Sequence, residues 1–190
     1  MNPEAASPWA LLRGQPFELL LAIERSLRDT SRDSPAGQDR DNETGTWTGL
    51  AFRLRELWLV VPGDDVREVS SRPKLTRVPG SRPWLMGVAN LRGNLLPVTD
   101  LGLLLGGTPA PDSREQRVLV LNAEGLPAGF LVDEVAGYRR FAPEDQRDTP
   151  PPLASLQPWR LGAFHREGRD WQVLSLNKLA RSDAFALAGV

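Results

Sequence analysis

The fold is decided by Gly87-Val88-Ala89-Asn90-Leu91-Arg92-Gly93-Asn94-Leu95-Leu96-Pro97-Val98-Thr99-Asp100-Leu101, where two apolar runs surround a short polar turn. Gly93 and Asn94 favour a turn because both residue types adopt positive φ angles at low energetic cost. The pattern predicts a β-hairpin with Arg92 at its tip. A guanidinium on a rigid turn presents a fork of N–H donors, which suits a carboxylate-bearing partner.

The same spacing of anchor residues occurs twice in the chain. Five anchors recur 75 residues later, namely Pro83, Trp84, Gly87, Gly93 and Leu101 as Pro158, Trp159, Gly162, Gly168 and Leu176. The repeat predicts two copies of one β unit and hence two similar subdomains. The exposed tips differ, because Glu167 occupies the position that corresponds to Arg92.

Composition narrows the class of fold and the class of partner. The chain has 190 residues, enough for one large domain or two small ones. Its formal net charge of -1 argues against a nucleic-acid partner, which favours a basic surface. The absence of cysteine excludes disulfides and thiolate metal sites. No apolar run approaches the ~20 residues of a membrane span and no signal peptide is evident, so we expect no direct membrane insertion and a cytoplasmic location.

Residues 1–46 are predicted to form an N-terminal extension, and residues 47–190 the globular body. The helical spacing of Phe17, Leu20 and Leu27 predicts an amphipathic helix at about 16–29, whose apolar face docks either on the body or on a partner. Residues 29–46 contain no apolar residue larger than alanine, which is typical of a polar linker.

Short apolar segments separated by turn signals predict a mainly β body. Strands are predicted at 49–55, 57–61, 66–69, 87–91, 95–98, 117–122, 129–135 and 171–174. One helical turn is predicted at 100–105, a short C-terminal helix at 176–185 and a long proline-rich loop at 143–158. The density of turn signals favours a barrel or a sandwich.

Three ordered motifs resemble the signature of CheW-like chemotaxis adaptors, namely Thr76-Arg77-Val78-Pro79, Gly87-Val88-Ala89-Asn90-Leu91-Arg92-Gly93 and Leu96-Pro97-Val98-Thr99-Asp100-Leu101. The resemblance covers about residues 47–185 and implies a CheW-like fold of two intertwined, five-stranded, SH3-like β-barrels around a shared core. The N-terminal helix and the stretch from Trp47 resemble the family members of type IV pilus (twitching motility) systems. Thr99 departs from the pattern, because isoleucine or valine is common there.

The resemblance implies a non-catalytic adaptor that needs no cofactor and no metal. Such proteins couple a chemoreceptor of the methyl-accepting type to a CheA-like histidine kinase in membrane-associated receptor arrays. One groove takes the receptor's cytoplasmic hairpin tip, and barrel edges pack on the kinase regulatory domain. The resemblance marks the residues expected to bind the receptor: Arg92 makes the contact, Asn90, Leu91 and Gly93 set its turn, and Val88 and Leu95 line the adjoining apolar groove.

Two other classes of function are compatible with parts of the sequence. An SH3-like peptide-binding module in another signalling complex would need a surface aromatic groove, whereas the repeat predicts that Trp84 and Trp159 pack in the core. A hydrolase would need a triad such as His165, Asp170 and Ser175, but no Gly-x-Ser-x-Gly elbow surrounds the serine.

Overall fold

A computed structural model describes residues 45–186, so the predicted helix at 16–29 and most of the linker lie outside the described residues. Within this range the chain forms ten strands: β1 Trp47–Leu54, β2 Leu57–Pro62, β3 Val66–Ser71, β4 Leu85–Leu91, β5 Asn94–Asp100, β6 Arg117–Leu121, β7 Gly129–Val132, β8 Glu134–Phe141, β9 Arg160–Arg166 and β10 Arg169–Leu174. They form two five-stranded sheets, sheet A in the order β8-β1-β2-β10-β9 and sheet B in the order β3-β6-β7-β5-β4. The mainly β fold is therefore confirmed.

The two sheets are circular permutations of one strand arrangement. Sheet B uses five consecutive strands, whereas sheet A combines β8, β9 and β10 with β1 and β2 from the other end of the described chain. In each sheet the hairpin with the repeated anchors joins the other strands through one parallel pairing, β5 with β7 and β10 with β2. The repeated anchors thus occupy matching positions in the two sheets.

Three apolar clusters stabilise this arrangement. Sheet A encloses one cluster that includes Trp47 and Phe164, and sheet B encloses another that includes Leu96 and Val118. The third and largest is shared, because the opposite faces of strands from both sheets contribute to it. Strands β1, β2, β6 and β7 are consequently buried on both faces, which explains their nearly continuous apolar runs. Trp84 and Trp159 pack against the shared cluster, as the repeat predicted.

Each sheet curls until its two edge strands approach each other. In sheet B the Nη1 atom of Arg92, in the β4–β5 turn, lies 3.1 Å from Oε2 of Glu68 on β3. In sheet A the Nη1 atom of Arg166 donates to the carbonyl oxygen of Arg140 on β8 at 2.8 Å. Full closure into SH3-like barrels stays a prediction.

Strand β8 corrects the prediction of one strand over 129–135. Strand β7 ends at Val132 and β8 begins at Glu134, with Asp133 between them. The sequence did not predict β8 as a separate strand, because its apolar pattern is weak. It lies at the edge of sheet A, and residues such as Tyr138 and Arg139 are exposed. Strand β9 was also absent from the predicted strands, although the repeat points to it.

Two further predictions are corrected in the C-terminal part of the body. The loop at 143–158 contains 3-10 helices at Pro143–Asp145 and Ala154–Trp159. The helix predicted at 176–185 is two short helices, Leu176–Ala180 and Asp183–Ala186. The hydroxyl of Ser182 accepts a hydrogen bond from the Phe185 N–H at 3.4 Å, so the serine begins a new helix instead of continuing the first.

Thr99 offers a direct test of core packing. Its side chain is fully buried, and its hydroxyl has no hydrogen-bond partner within residues 45–186. Leaving a buried polar group unpaired costs about 1–3 kcal/mol, so Thr99→Val is expected to raise the free energy of unfolding by that amount. Urea denaturation measures the change. Thr99→Ser keeps the hydroxyl and should not stabilise; a valine variant no more stable than wild type would contradict the argument.

Candidate partner-binding site

The β4–β5 turn holds Arg92 on a rigid support. Arg92 and Gly93 have φ angles of 51° and 86°, the left-handed geometry of a tight hairpin turn. The side-chain oxygen of Asn90 accepts a hydrogen bond from the Gly93 N–H at 2.9 Å, which fixes the turn from within. The Arg92 side chain, 79% exposed, extends from this support.

Glu68 orients the Arg92 guanidinium without using all of its donors. The pair is 3.1 Å apart and largely solvent-accessible on the arginine side. Exposed pairs of this kind contribute about 0–1 kcal/mol to stability, so the contact orients the side chain more than it stabilises the fold. The remaining N–H groups can donate to a carboxylate of a partner.

A largely apolar strip lies beside Arg92 on the outer surface of the hairpin. Val88 lies opposite Pro97, and Asn90 lies opposite Leu95, so these four residues share one face. Leu95 is 71% exposed. We call Val88, Asn90, Leu95 and Pro97 the hairpin face.

The hairpin face gathers most of the predicted site residues. Val88, Asn90 and Leu95 belong to it, while Arg92 and Gly93 form the adjoining turn. Leu91 instead packs partly buried against the sheet B cluster, so it supports the turn from inside. Pro97 was not among the predicted site residues, although it belongs to the third motif that carries the family resemblance.

The first motif contacts the second through an isolated bridge at the edge of β4. The Thr76 N–H donates to the Val88 carbonyl at 2.9 Å, and the Val88 N–H donates to the Thr76 carbonyl at 2.8 Å. Gly87 permits this approach, because a Cβ atom there would lie 2.4 Å from the Thr76 carbonyl oxygen.

Asp100 of the third motif is a structural residue. It is buried, and its Oδ1 atom accepts from the N–H groups of Gly102 and Leu103 at 2.9 and 3.2 Å, which caps the helix Leu101–Leu104. Nη2 of Arg55, in the β1–β2 turn, lies 3.0 Å from the same oxygen, and Nη1 of Arg55 pairs with the buried Asp133. This network links the two sheets. Sequence reasoning missed Arg55 because no local pattern connects it to carboxylates so distant in the chain.

Comparison with known protein families shows to which family the chain belongs, because the family model for the CheW-like domain matches residues 48–184. The chain belongs to the CheW-like family. The chain is 39% identical to PilI of Pseudomonas aeruginosa over 171 residues, which cover 90% of this chain and 94% of PilI. It is 37% identical to FrzA of Myxococcus xanthus over 104 residues, which cover 55% of this chain and 64% of FrzA.

A solved structure supports the fold of this CheW-like protein. The crystal structure of the scaffolding protein TtCheW from Thermoanaerobacter tengcongensis matches with a TM-score of 0.62 at 24% identity, covering 73% of this chain and 94% of TtCheW. The predicted resemblance to CheW-like adaptors is thus confirmed, and the similarity to PilI confirms the expected likeness to pilus-system members. The partner-binding roles of the hairpin residues stay predictions.

Ser175 lies 75 residues after Asp100 and takes the same position in sheet A, at the start of a short helix. Both hydrogen bonds of its hydroxyl are structural. Its hydroxyl accepts from the Lys178 N–H at 3.2 Å and donates to the buried carboxylate of Asp65 at 3.2 Å. His165 instead has its Nδ1 atom 2.7 Å from Asp170 Oδ1. The serine therefore does not complete a triad with His165 and Asp170.

The stability of this CheW-like protein is expected to depend on pH through Asp65. Burial raises the pKa of Asp65 above its ordinary value of 3.8, although hydrogen bonds from Asn177 and Ser175 oppose the shift. Because the folded protein then binds the proton more tightly than the unfolded chain, this carboxyl group's contribution to stability falls as pH rises from below 3.8 through the raised pKa. In Asp65→Asn that fall should disappear. Urea midpoints across this pH range test it, and parallel profiles for the two proteins would contradict it.

The described part of the chain contains neither a candidate membrane-spanning helix nor a candidate cluster of metal ligands. Between residues 45 and 186, no helix is long and apolar enough to span a membrane. Within the same residues, no group of three or more histidine, aspartate or glutamate side chains could hold a metal ion.

Proposed function

We propose that this CheW-like protein is a non-catalytic adaptor that couples a chemoreceptor of the methyl-accepting type to a CheA-like histidine kinase. The hairpin face carries the proposal, because exposed Leu95 and half-buried Val88 lie beside a rigidly supported guanidinium at Arg92. A receptor's helical hairpin tip offers the matching chemistry, since an amphipathic helix presents apolar anchors flanked by carboxylates.

The shared apolar cluster suits the protein to hold two partners in fixed geometry. Strands of both sheets contribute to this cluster, so a partner on the hairpin face and another on a sheet edge are rigidly related. The edge strands β3, β4, β8 and β9 are the surfaces on which the kinase regulatory domain would pack. Individually modest contacts would gain strength from multivalency in cytoplasmic, membrane-associated receptor arrays.

The similarity to PilI supports type IV pilus twitching motility as the output of the pathway. PilI is matched over 90% of this chain, including part of the region that precedes the CheW-like domain. A chromosomal deletion should therefore impair twitching, and the wild-type copy should restore it.

Charge reversal at the tip tests receptor binding. Arg92→Glu is expected to weaken binding to the receptor hairpin at least about tenfold, which corresponds to about 1.4 kcal/mol. The new carboxylate repels both Glu68 and the partner's acids. Calorimetric titration with the hairpin fragment measures the affinity, and binding to the kinase regulatory domain should be unchanged.

Glu167→Arg is the matched control, because Glu167 occupies the corresponding tip of the β9–β10 hairpin with a similar φ of 54°. It should bind the receptor like the wild type. Wild-type affinity in Arg92→Glu would move the receptor site elsewhere. A wild-type protein that binds neither partner would refute the adaptor and favour an SH3-like peptide-binding module.

A further inference from the structure

A concave basic surface lies beside the start of β4, the strand that carries part of the hairpin face. Residues 72–82 contain four cations and no acid. Most residues of this segment, together with Leu103 of the helix Leu101–Leu104, line a cavity of about 700 Å³, within the range of ligand-binding cavities. We call it the basic cavity and define it by six of its lining residues: the cations Lys74, Arg77 and Arg82 and the apolar Leu75, Met86 and Leu103.

The charge of the basic cavity is not compensated within the described chain. Arg72 also lines the cavity, but its charge is paired with Asp112 at 2.6 Å. Lys74, Arg77 and Arg82 are exposed, and their side chains form no ion pair or hydrogen bond with any residue from 45 to 186. The acid that lines the cavity, Asp100, is already engaged by Arg55 and by backbone N–H groups. The cavity is therefore a local positive surface on a chain with a net charge of -1.

Strand β4 contributes both to the basic cavity and to the hairpin face. The backbone of Thr76 is hydrogen-bonded to Val88, so Lys74 and Arg77 are held on either side of that strand position. Met86 lines the cavity and precedes Val88 by two residues in the same strand. A helix lying on the hairpin face can therefore extend past the cavity mouth.

We infer that the basic cavity is a second contact point for the receptor hairpin and takes carboxylate side chains of the helix whose apolar side lies on the hairpin face. This inference rests on the proposed function. The apolar side chains of the helix contact Val88 and Leu95, and its acids face Lys74, Arg77 and Arg82. Charges at the rim of an interface mainly accelerate association, and salt screens them over about 10 Å at 0.1 M.

Association kinetics of the full chain with the receptor hairpin fragment test this inference. Compared with wild type, Lys74→Gln/Arg77→Gln/Arg82→Gln should associate about tenfold more slowly at low salt, with little change in the dissociation rate. Its association rate should also lose most of its dependence on salt between about 0.05 and 0.5 M. Surface plasmon resonance measures both rates.

A second triple variant, Arg139→Gln/Arg147→Gln/Arg181→Gln, removes the same charge from exposed positions outside the basic cavity and should stay within about twofold of wild type. An equal slowing in this control would overturn the inference, as would slowed association with the kinase domain in place of the receptor. Wild-type kinetics in the cavity variant, with binding still lost in Arg92→Glu, would refute the cavity but leave the adaptor intact. Failure of the wild type to bind the receptor hairpin at all would refute both the adaptor function and the receptor contact at the basic cavity.

Discussion

Replacing Arg55 with alanine is expected to lower the free energy of unfolding by about 3–5 kcal/mol, because it leaves the buried Asp100 without its cation and removes the closest cation from the buried Asp133. Asp100 and Asp133 are 2% and 4% exposed, and Arg55 contacts both. The Arg55 side chain is itself only 19% exposed, so water does little to replace it. Equilibrium denaturation in urea measures the loss.

Arg53→Ala provides the control for this prediction. Arg53 lies in β1, two residues before Arg55, and pairs with Glu134 at 3.1 Å, with the two side chains 31% and 41% exposed. Its Nη1 atom is also 3.9 Å from Oδ2 of the buried Asp133, but Arg55 remains the closer cation there. The loss of Arg53 should cost less than about 1 kcal/mol, as for other exposed pairs. Equal effects of the two variants would show that burial of the carboxylates does not govern the stability of this network.

Substituting Gly87 with alanine is expected to lower the free energy of unfolding by about 3 kcal/mol or more. The φ of Gly87 is 145°, which strains any other residue by about 1–3 kcal/mol. In addition, the new Cβ would lie 2.4 Å from the Thr76 carbonyl oxygen, and overpacking of this kind costs about 1–3 kcal/mol. Thermal and urea denaturation measure the loss, and faster hydrogen exchange at the Val88 amide would show that the Thr76 bridge has opened.

Gly125→Ala separates the clash from the backbone strain. Gly125 has a φ of 70° and no atom within 4 Å of an added Cβ, so only backbone strain of about 1 kcal/mol is expected. If Gly87→Ala were no more damaging than Gly125→Ala, close contact between the Thr76 segment and β4 would not be needed for stability.

The parts of the fold that were predictable are those with local causes. The Arg92 turn follows from the glycine after it and the apolar runs around it, and the structure has this turn with positive φ at both central residues. The apolar run at 57–61 likewise predicted β2, because burial on both faces demands such a run.

Features that depend on distant contacts could not be read from the sequence. Arg55 and Asp133 are 78 residues apart and meet only when both sheets have formed. The Arg92–Glu68 pair exists because sheet B curls, which no spacing along the chain reveals. Strand β8 contains an irregularity in its register with β1, and this interrupts the alternation by which a strand is recognised.

The circular permutation of the two sheets fixes the order in which their complete sets of strands become available during synthesis. Sheet B is complete in sequence once Val132 has been added, whereas sheet A lacks its last strand until Leu174. A nascent chain on the ribosome therefore holds β1 and β2 without three of their sheet partners while all of sheet B is available. During that interval the strands have unpaired edges, the state in which proteins are most exposed to aggregation and chaperone capture.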